Sequence, residues 1–492
     1  SNKKIGGVKI FGWNVSNLER LGRSITLMQK TASETPLKIP LFIATDQEGG
    51  WVRHVKGNTS ITPGNMSIGA TSIPQDAYNT GKYIGLELKT IGINMNFAPT
   101  VDIYTNPDAD VIGPRAFSSV PMTTATLSTS FFQGQESAAV ISTAKHFPGH
   151  GSAGGDSHGM LPIVDADLQT LWDRELLPYR FLIKRNIPAI MSGHISFPDI
   201  TGKDIAASGS KYFLTTVLRE QMGFKGIIIT DDMVMAGADI TSKGIEETCY
   251  NALVAGNDIL MVSRSIPTYK KIWDYLYNKL QTEINFKETI TISVSRILKT
   301  KLDYLKRENA VSLFPDIKKI TDNVPNSFGS NFFLDQAFRS VSILRNDELP
   351  VSINKNSRVL LAAPYRIFFA EGKKQIKNAE TYYFPFIPEK ESEKNFITDF
   401  KSKAKNYDKI IFCLANDFSL KMLKTLENLP VEVTVISTLS PILIQDQQWI
   451  NSAVAVYGTG YESFMAGFSA ILGNFKPTGT VPIESLQEYG NN

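Results

Sequence analysis

The stretch GIIITDD, residues 226–232, places an uninterrupted β-branched run directly before two aspartates. A short apolar run that ends in polar residues is typical of a strand buried on both faces of a parallel sheet. Similar runs, each followed by helix-compatible sequence, are GGVKIFG (6–12), PLFIATDQEGG (40–50), NMNFAPTVDI (94–103), AVISTAKHFPG (139–149), PAIMSGHIS (188–196) and NDILMVS (257–263). Seven such units without a doubly wound switch predict an α/β fold, a (β/α)8 TIM-like barrel whose first strand is missing or precedes Lys4.

The length of the chain, 492 residues, is enough for two or three domains that each bury a core. We predict a barrel domain at 1–305, a linker at 306–350 and a C-terminal domain at 351–492. The linker is rich in charged residues and asparagine and includes the helix-like run NFFLDQAFRSV. In the last part, five apolar runs alternate with helical stretches: SRVLLAAPY (357–365), TYYFPFIP (381–388), DKIIFCLAND (408–417), VEVTVIST (431–438) and SAVAVYGTG (452–460). This alternation predicts a smaller three-layer α/β domain.

The composition argues against several classes of function. Lysine and arginine number 51 against 48 aspartates and glutamates, a formal net charge of +3, so charge does not predict binding to nucleic acid or anionic membranes. Cys249 and Cys413 lie far apart in the sequence and predict neither a disulfide framework nor a cysteine-ligated zinc site. With no apolar run of transmembrane length and no signal-peptide pattern, we expect a soluble chain. Its compartment stays open: cytoplasmic, or exported or lipid-anchored through a segment ahead of Ser1.

Polar side chains stand at the ends of most of the predicted strands. In a barrel the carboxyl ends of the strands meet at one mouth, and reactive groups concentrate there. A single polar residue after a strand is more often a helix cap or a turn former. Several on one rim favour an active site, and the candidates are Asp46, Asp102, Lys145, His146, His194, Asp231 and Asp232.

Histidines cluster in the same region, since four of the five fall within two adjacent βα units: His146, His150, His158 and His194. Histidines and carboxylates at a barrel mouth hold zinc in many hydrolases, so a metal site is one interpretation. Another interpretation is that these histidines are hydrogen-bonded residues of turns and of the core. The sequence contains neither an HxH pair nor an HExxH helix, and Lys145 directly precedes His146, which argues against metal catalysis.

The segment KHFPGHGSAGGDSH, residues 145–158, carries the most specific pattern in the chain. Its four glycines predict a mobile loop with little role in packing, because glycine has no Cβ. Near its end, Asp156 stands two residues before His158, a spacing that lets the carboxylate orient the imidazole. His158 would then donate and reclaim a proton near neutral pH, while the alternative is that Asp156 only caps a turn.

The loop pattern KHFPGHGxxxxDSH, together with TDQEGG at 45–50 and ITDDM at 229–233, resembles glycoside hydrolase family 3. The resemblance is to its β-N-acetylglucosaminidase branch, which trims muropeptides and cell-wall glycans, and to the two-domain members. It implies that Asp231 is the nucleophile and that His158, supported by Asp156, is the general acid/base. It also implies retention through a covalent glycosyl-enzyme, without a metal or a cofactor.

The same resemblance implies a sugar-binding set at subsite −1, formed by Asp46, Arg115, Lys145 and His146. One departure affects substrate binding, because the family usually reads DQEGG-R-x-x-R whereas this chain continues with Trp51, Val52, Arg53 and His54. His54 therefore stands where the family has a substrate-binding arginine. Either Arg53 substitutes for it through a shifted turn, or the pocket is altered.

The principal hypothesis is an exo-acting β-N-acetylglucosaminidase with a carbohydrate substrate and no nucleic-acid partner. A β-glucosidase or β-xylosidase that takes its proton from Glu462, in the segment GTGYESF, is the nearest alternative. A phosphorolytic relative is another, because histidine as the acid tolerates an incoming phosphate better than a carboxylate does. A metal-dependent barrel hydrolase and a catalytically silent glycan-binding module remain the more distant alternatives.

Overall fold

The strands of the first part of the chain lie inside the apolar runs that predict them. The computed structural model describes residues 5–154, 159–238 and 244–487. The strands up to residue 261 are β1 (Gly7–Ile10), β2 (Phe42–Thr45), β3 (Gln47–Gly49), β4 (Val52–Arg53), β5 (Met95–Asn96), β6 (Ile141–Phe147), β7 (Ala189–Ser192), β8 (Ile227–Asp232) and β9 (Ile259–Met261).

Seven of these strands form one parallel sheet in the order β1, β2, β5, β6, β7, β8, β9, and β3 pairs with β4 separately. Each of the seven predicted runs contains one strand of this sheet, and the strands follow one another in chain order. This arrangement confirms the predicted TIM-like α/β fold. The strand predicted ahead of Lys4 lies outside the described residues.

Both faces of the parallel sheet are buried, which explains why its strands read as continuous apolar runs. On β8, Ile227 and Ile229 pack in one core cluster with Phe42 of β2. The intervening Ile228 packs in a second cluster with Ile190 of β7. Because side chains alternate between the faces of a strand, the two clusters occupy opposite faces of the sheet.

The helices in the first 340 residues follow the strands, as a barrel requires. Polar caps help to set where some of them begin: the Asn17 side chain accepts from the Arg20 backbone N–H at 2.7 Å, and the Asp167 side chain from that of Thr170 at 2.7 Å. The helices are α1 (Leu18–Ser33), α2 (Asn65–Thr71), α3 (Pro74–Ile91), α4 (Pro121–Ser137), α5 (Leu168–Asp173), α6 (Leu176–Lys184), α7 (Pro198–Thr201), a π-helix (Tyr212–Gln221), α8 (Ile245–Ala255), α9 (Ile266–Thr282), α10 (Ile284–Leu305), α11 (Ile317–Asn323) and α12 (Ser327–Ser340). Short 3-10 helices are Gly12–Asn14, Gly113–Arg115, Ala207–Gly209 and Ala236–Ala238.

Contacts divide the described residues into two compact units. The first contains the residues up to 48, then 52–60 and 77–329, and the second contains 49–51, 61–76 and the residues from 330 onward. Two short segments of the early sequence therefore pack with the second unit. In that unit, for example, a Cβ on Gly458 would lie 3.0 Å from Cα of Pro63.

The second unit is built on a six-stranded mixed sheet in the order β10, β15, β14, β13, β11, β12, in which β10 is antiparallel to β15 and the other pairs are parallel. Its elements are β10 (Ser342–Asn346), β11 (Val359–Ala363), α13 (Arg366–Gln375), β12 (Glu380–Tyr383), α14 (Glu393–Ala404), β13 (Lys409–Leu414), α15 (Asp417–Lys424), β14 (Glu432–Ser437), a 3-10 helix (Pro441–Ile444), β15 (Ser452–Ala455), α16 (Tyr461–Ile471) and α17 (Glu484–Gln487). The five predicted runs correspond to β11–β15. β10 is a partly polar edge strand, and the sequence pattern does not predict it.

Helices cover both faces of this mixed sheet. Phe368 of α13 and Phe468 of α16 pack with Ile411 of β13 in one core cluster. The adjacent Phe412 of β13 packs instead against Phe400 of α14, with ring centroids 5.7 Å apart. The sheet therefore lies between two helical layers, which confirms the predicted three-layer α/β domain.

None of the helices within residues 5–154, 159–238 and 244–487 combines the length and the apolar character that a membrane span requires.

Candidate active site

The carboxyl ends of β2, β6 and β8 carry four of the predicted site residues. Asp46 directly follows β2, Lys145 and His146 belong to β6, and Asp231 is the penultimate residue of β8. These strands run parallel in one sheet, so their carboxyl ends meet at one edge of it.

Lys145 lies between two buried carboxylates. Its Nζ is 2.5 Å from Oδ1 of Asp46 and 2.5 Å from Oε1 of Glu48. Glu48 in turn accepts two hydrogen bonds from Arg115, at 3.0 Å from Nε and 2.9 Å from Nη2. Lys145 and Arg115, both predicted to bind sugar, therefore belong to one network of ion pairs with Asp46.

This network controls the charge of its members. Burial alone would raise the pKa of Glu48, but Arg115 and Lys145 lower it to about 2. Burial would also raise the pKa of Asp46, and Lys145 and Lys9 hold it far below its usual value. The pKa of Lys145 would fall on burial, yet the two carboxylates raise it. Both carboxylates are therefore anionic and the lysine cationic across the neutral range.

Lys9 is a member of this site that the sequence analysis did not identify. Its Nζ lies 2.7 Å from Oδ2 of Asp46 and 4.2 Å from the centroid of the Phe11 ring. One signal was present in the sequence: a lysine within a run typical of a buried strand requires a partner, because an unpaired buried charge is costly. Glu48 is a second such member, and in the sequence it is visible only as part of the TDQEGG motif.

His54 lies beside Asp46, and the neighbouring Arg53 is hydrogen-bonded to the loop after β4. The His54 Nδ1 atom is 3.6 Å from Oδ2 of Asp46, and burial lowers the pKa of His54 despite that carboxylate. Arg53 uses its Nη1 to donate to the carbonyls of Thr59 and Ser60, at 2.9 and 3.2 Å. Its guanidinium thus stabilises the loop that follows β4.

His146 bridges a carboxylate and a guanidinium. Its Nδ1 lies 2.8 Å from Oδ2 of Asp102, and its Nε2 lies 3.2 Å from Nη2 of Arg115. Arginine can only donate hydrogen bonds, so Nε2 accepts and Nδ1 carries the hydrogen that is donated to Asp102. The other oxygen of Asp102 accepts from the backbone N–H of His150 at 2.7 Å. Asp102 therefore orients the ring of His146 and anchors the start of the glycine-rich loop.

Asp231 and Asp232 differ in their surroundings. Oδ1 of Asp231 accepts one hydrogen bond, at 2.8 Å, from the Asp232 backbone N–H. Burial would raise the pKa of Asp231, but His146, His194 and Lys9 lower it. Asp231 is thus an ionised carboxylate among basic side chains. Oδ1 of Asp232 instead accepts from the Ser263 backbone N–H at 3.1 Å, a bond that holds the chain after β9.

His194 is completely enclosed and fixes the backbone at the end of β8. Its Nε2 is 3.2 Å from the Asp232 carbonyl, which can only accept, so Nε2 carries the ring hydrogen. Nδ1 then accepts from the Ser208 hydroxyl at 2.7 Å. Burial lowers the pKa of His194, although Asp231 and the Asp232 carbonyl raise it. His194 therefore positions the strand end that carries Asp231.

The proposed acid/base residues Asp156 and His158 lie outside the described residues. The start of their loop is described, and it is closely packed. A Cβ on Gly151 would lie 2.0 Å from the Ile103 carbonyl oxygen, and one on Gly149, whose φ is +146°, would lie 2.5 Å from Cγ of Glu175. Glycine is required at both positions because neighbouring atoms lie where a Cβ would be. The prediction that this loop has little role in packing is therefore wrong at its start.

The alternative acid, Glu462, lies in the second unit. It is in the first turn of α16 and is 1% exposed. In residues 5–154, 159–238 and 244–487, no group of three or more histidine, cysteine, aspartate or glutamate side chains could hold a metal ion.

Comparison with known proteins relates this site to a family. A beta-hexosaminidase A of Pseudoalteromonas piscicida is 36% identical over 326 residues, which cover 61% of this chain and 54% of that protein. The match thus spans about half the length of that relative. A beta-hexosaminidase of Idiomarina loihiensis is 33% identical over 262 residues, 52% of this chain and 76% of that protein.

Among solved structures, a glycoside hydrolase family 3 beta-N-acetylglucosaminidase from Paenibacillus sp. superposes with a TM-score of 0.88 at 27% identity, covering 97% of this chain and 93% of that one. Residues 1–300 match the family model described as the glycosyl hydrolase family 3 N-terminal domain. Since that match includes more than half of the 492 residues, the chain belongs to glycosyl hydrolase family 3.

Proposed function

We propose that this protein is a retaining exo-β-N-acetylglucosaminidase. The observation that carries the proposal is the environment of Asp231, a carboxylate at the end of a barrel strand whose pKa is lowered by His146, His194 and Lys9. A nucleophilic carboxylate must be ionised when it attacks, and these basic side chains favour that state. The names of the two hexosaminidase relatives and of the Paenibacillus structure support N-acetylglucosamine as the sugar.

The reaction proceeds by double displacement. Asp231 attacks the anomeric carbon while His158 protonates the leaving oxygen, so the glycosidic bond breaks and a glycosyl ester forms on Asp231. Water then attacks the same carbon, His158 takes a proton from it, and the ester bond breaks. In this proposal Asp156 accepts a hydrogen bond from His158 and stabilises the imidazolium that gives up its proton in the first step and forms again in the second.

The sugar at subsite −1 is held by charged side chains. Lys145 and Arg115 can donate charge-assisted hydrogen bonds to hydroxyl groups. The Asp46 carboxylate and Nε2 of His146 can accept hydrogen bonds from them. His54 adds a polar contact beside Asp46. Because Lys145 and Arg115 are already paired with Glu48, the donors are held in position before substrate binds.

The natural substrate that we propose is a cell-wall glycan or a muropeptide with a terminal N-acetylglucosamine. The experiment that tests the activity compares an aryl β-N-acetylglucosaminide with an aryl β-glucoside, each with and without phosphate. We expect faster cleavage of the N-acetylglucosaminide, free sugar as the product and no effect of a chelator. Preference for the glucoside would contradict the proposal, and a sugar 1-phosphate product would indicate phosphorolysis instead.

A further inference from the structure

Two aromatic rings at the carboxyl end of β1, Phe11 and Trp13, form what we call the aromatic ledge. We propose that the aromatic ledge binds the second sugar ring of the substrate, on the leaving-group side of the scissile bond. This inference rests on the proposed function, because it assumes a sugar bound beside Asp46. Phe11 and Trp13 lie outside the motifs that carry the family resemblance. They also take no part in the ion pairs among Asp46, Glu48, Lys145 and Arg115, which we call the charged site.

The geometry of the ledge is fixed by a tight turn. The chain forms a short 3-10 helix at Gly12–Asn14, and the Phe11 backbone N–H donates to Oδ1 of Asn14 at 2.9 Å. The rings of Phe11 and Trp13 stack with centroids 4.3 Å apart and planes 10° apart. The two rings are therefore nearly parallel, and the turn holds them in one orientation.

Trp13 has the exposure expected of a ligand-binding aromatic residue. Its side chain is 78% exposed although one face is stacked on Phe11. An exposed indole leaves a large apolar surface in water, whereas the nearly apolar C–H face of a pyranose ring would cover it. A sugar ring is thus an occupant whose shape and chemistry match the open face.

A continuous set of contacts joins the ledge to the charged site. The Lys9 ammonium lies 4.2 Å from the Phe11 ring centroid and 2.7 Å from the Asp46 carboxylate. The His54 ring is 5.7 Å from the Phe11 ring and also faces Asp46. The ledge therefore adjoins residues proposed for subsite −1. An exo-acting enzyme takes the terminal ring at subsite −1, so a second ring bound beside that subsite is the one on the leaving-group side.

The experiment measures binding of one sugar ring and of two in the same protein. The inactive variant Asp231→Asn serves as the parent, and calorimetry gives its affinity for N-acetylglucosamine and for the β-1,4-linked disaccharide of N-acetylglucosamine. Adding Trp13→Ala should weaken disaccharide binding about fivefold and leave monosaccharide binding unchanged, since a stacked ring contributes on the order of 1 kcal/mol. Trp13→Phe should restore most of the lost affinity.

Phe328 provides a matched control, because it is an aromatic residue of the first unit that is 74% exposed. Phe328→Ala should change neither affinity. If the parent binds both sugars and Trp13→Ala weakens both equally or neither, the ledge proposal is wrong while the proposed function stands. If the parent binds neither sugar and the wild-type protein cleaves no N-acetylglucosaminide, the proposed function is wrong and the ledge proposal falls with it.

Discussion

Replacing Lys145 by methionine should destabilise the protein and weaken sugar binding together. The substitution keeps the shape of the side chain but removes a buried ammonium that lies 2.5 Å from each of Asp46 and Glu48. Lowering the pKa of Glu48 from 4.5 to about 2 corresponds to about 3 kcal/mol of stabilisation, shared between Arg115 and Lys145. Removing one partner of a buried ion pair typically costs about 3 to 5 kcal/mol. We therefore expect the free energy of unfolding to fall by about 3 kcal/mol in urea titrations at pH 7.

The pH dependence separates this effect from general damage to the core. A carboxyl whose folded pKa is lowered contributes its full stabilisation above its ordinary value of 4.5, and the contribution is lost as the pH falls toward 2. The difference in stability between the parent and Lys145→Met should therefore shrink over that range. Binding of a glucosamine-derived inhibitor at pH 7 should weaken in parallel.

Lys301 offers a matched control for the stability measurement. It is also a buried lysine, but its Nζ donates to the carbonyls of Gly6 and Pro40, at 2.7 and 2.6 Å. Burial lowers its pKa to about 8, so Lys301→Met should cost the same stability at pH 3 as at pH 7. A pH-independent loss in Lys145→Met, or unchanged inhibitor binding, would refute the reasoning.

Three further predictions concern the chemistry. Asp231→Asn should abolish turnover in a folded protein, and a 2-fluoro sugar should label Asp231; a label on Asp232 would contradict the assignment. His158→Ala should slow cleavage of natural glycans by about 10² to 10⁴ yet retain part of the activity on a dinitrophenyl glycoside, with a milder form of this pattern in Asp156→Asn. Glu462→Gln should match the parent on both substrates, and a dependence on the leaving group in this variant instead would assign the proton to the second unit.

The sequence predicted the sheets well because their signal is local. A strand buried on both faces must be apolar throughout, so runs such as residues 226–232 are visible without knowledge of their neighbours. β10 is an edge strand, and its five residues include Arg345 and Asn346, so its pattern is weaker. The packing of residues 61–76 with the second unit depends on contacts nearly 400 positions away, such as that of Pro63 with Gly458, and no local pattern encodes them.

Within the candidate site, the sequence predicted residues that lie in motifs and did not predict those whose proposed role depends on a partner. Lys145 and His146 were predicted because they are adjacent at the end of a predicted strand. Lys9 belongs to no motif, and its proximity to Asp46 follows from the parallel pairing of β1 with β2. That pairing places Ile10 beside Thr45, so the end of β1 lies next to Asp46. Glu48 acts by holding Lys145 and Arg115, a role that exists only in the folded chain.

The charges around Asp46 bear on the departure from the family motif at His54, where the family has an arginine. An arginine at the position of His54 would supply a permanent charge, but burial lowers the pKa of His54, so at neutral pH this side chain contributes a polar group rather than a cation. The permanent charge on that side of Asp46 comes from Lys9, whose ammonium is 2.7 Å from Oδ2. Since Lys9 also lowers the pKa of Asp231, one lysine on β1 both balances the carboxylate proposed to bind sugar and favours ionisation of the proposed nucleophile. A cation beside Oδ2 of Asp46 is therefore provided by β1, although the position directly after β4 carries His54 and not an arginine.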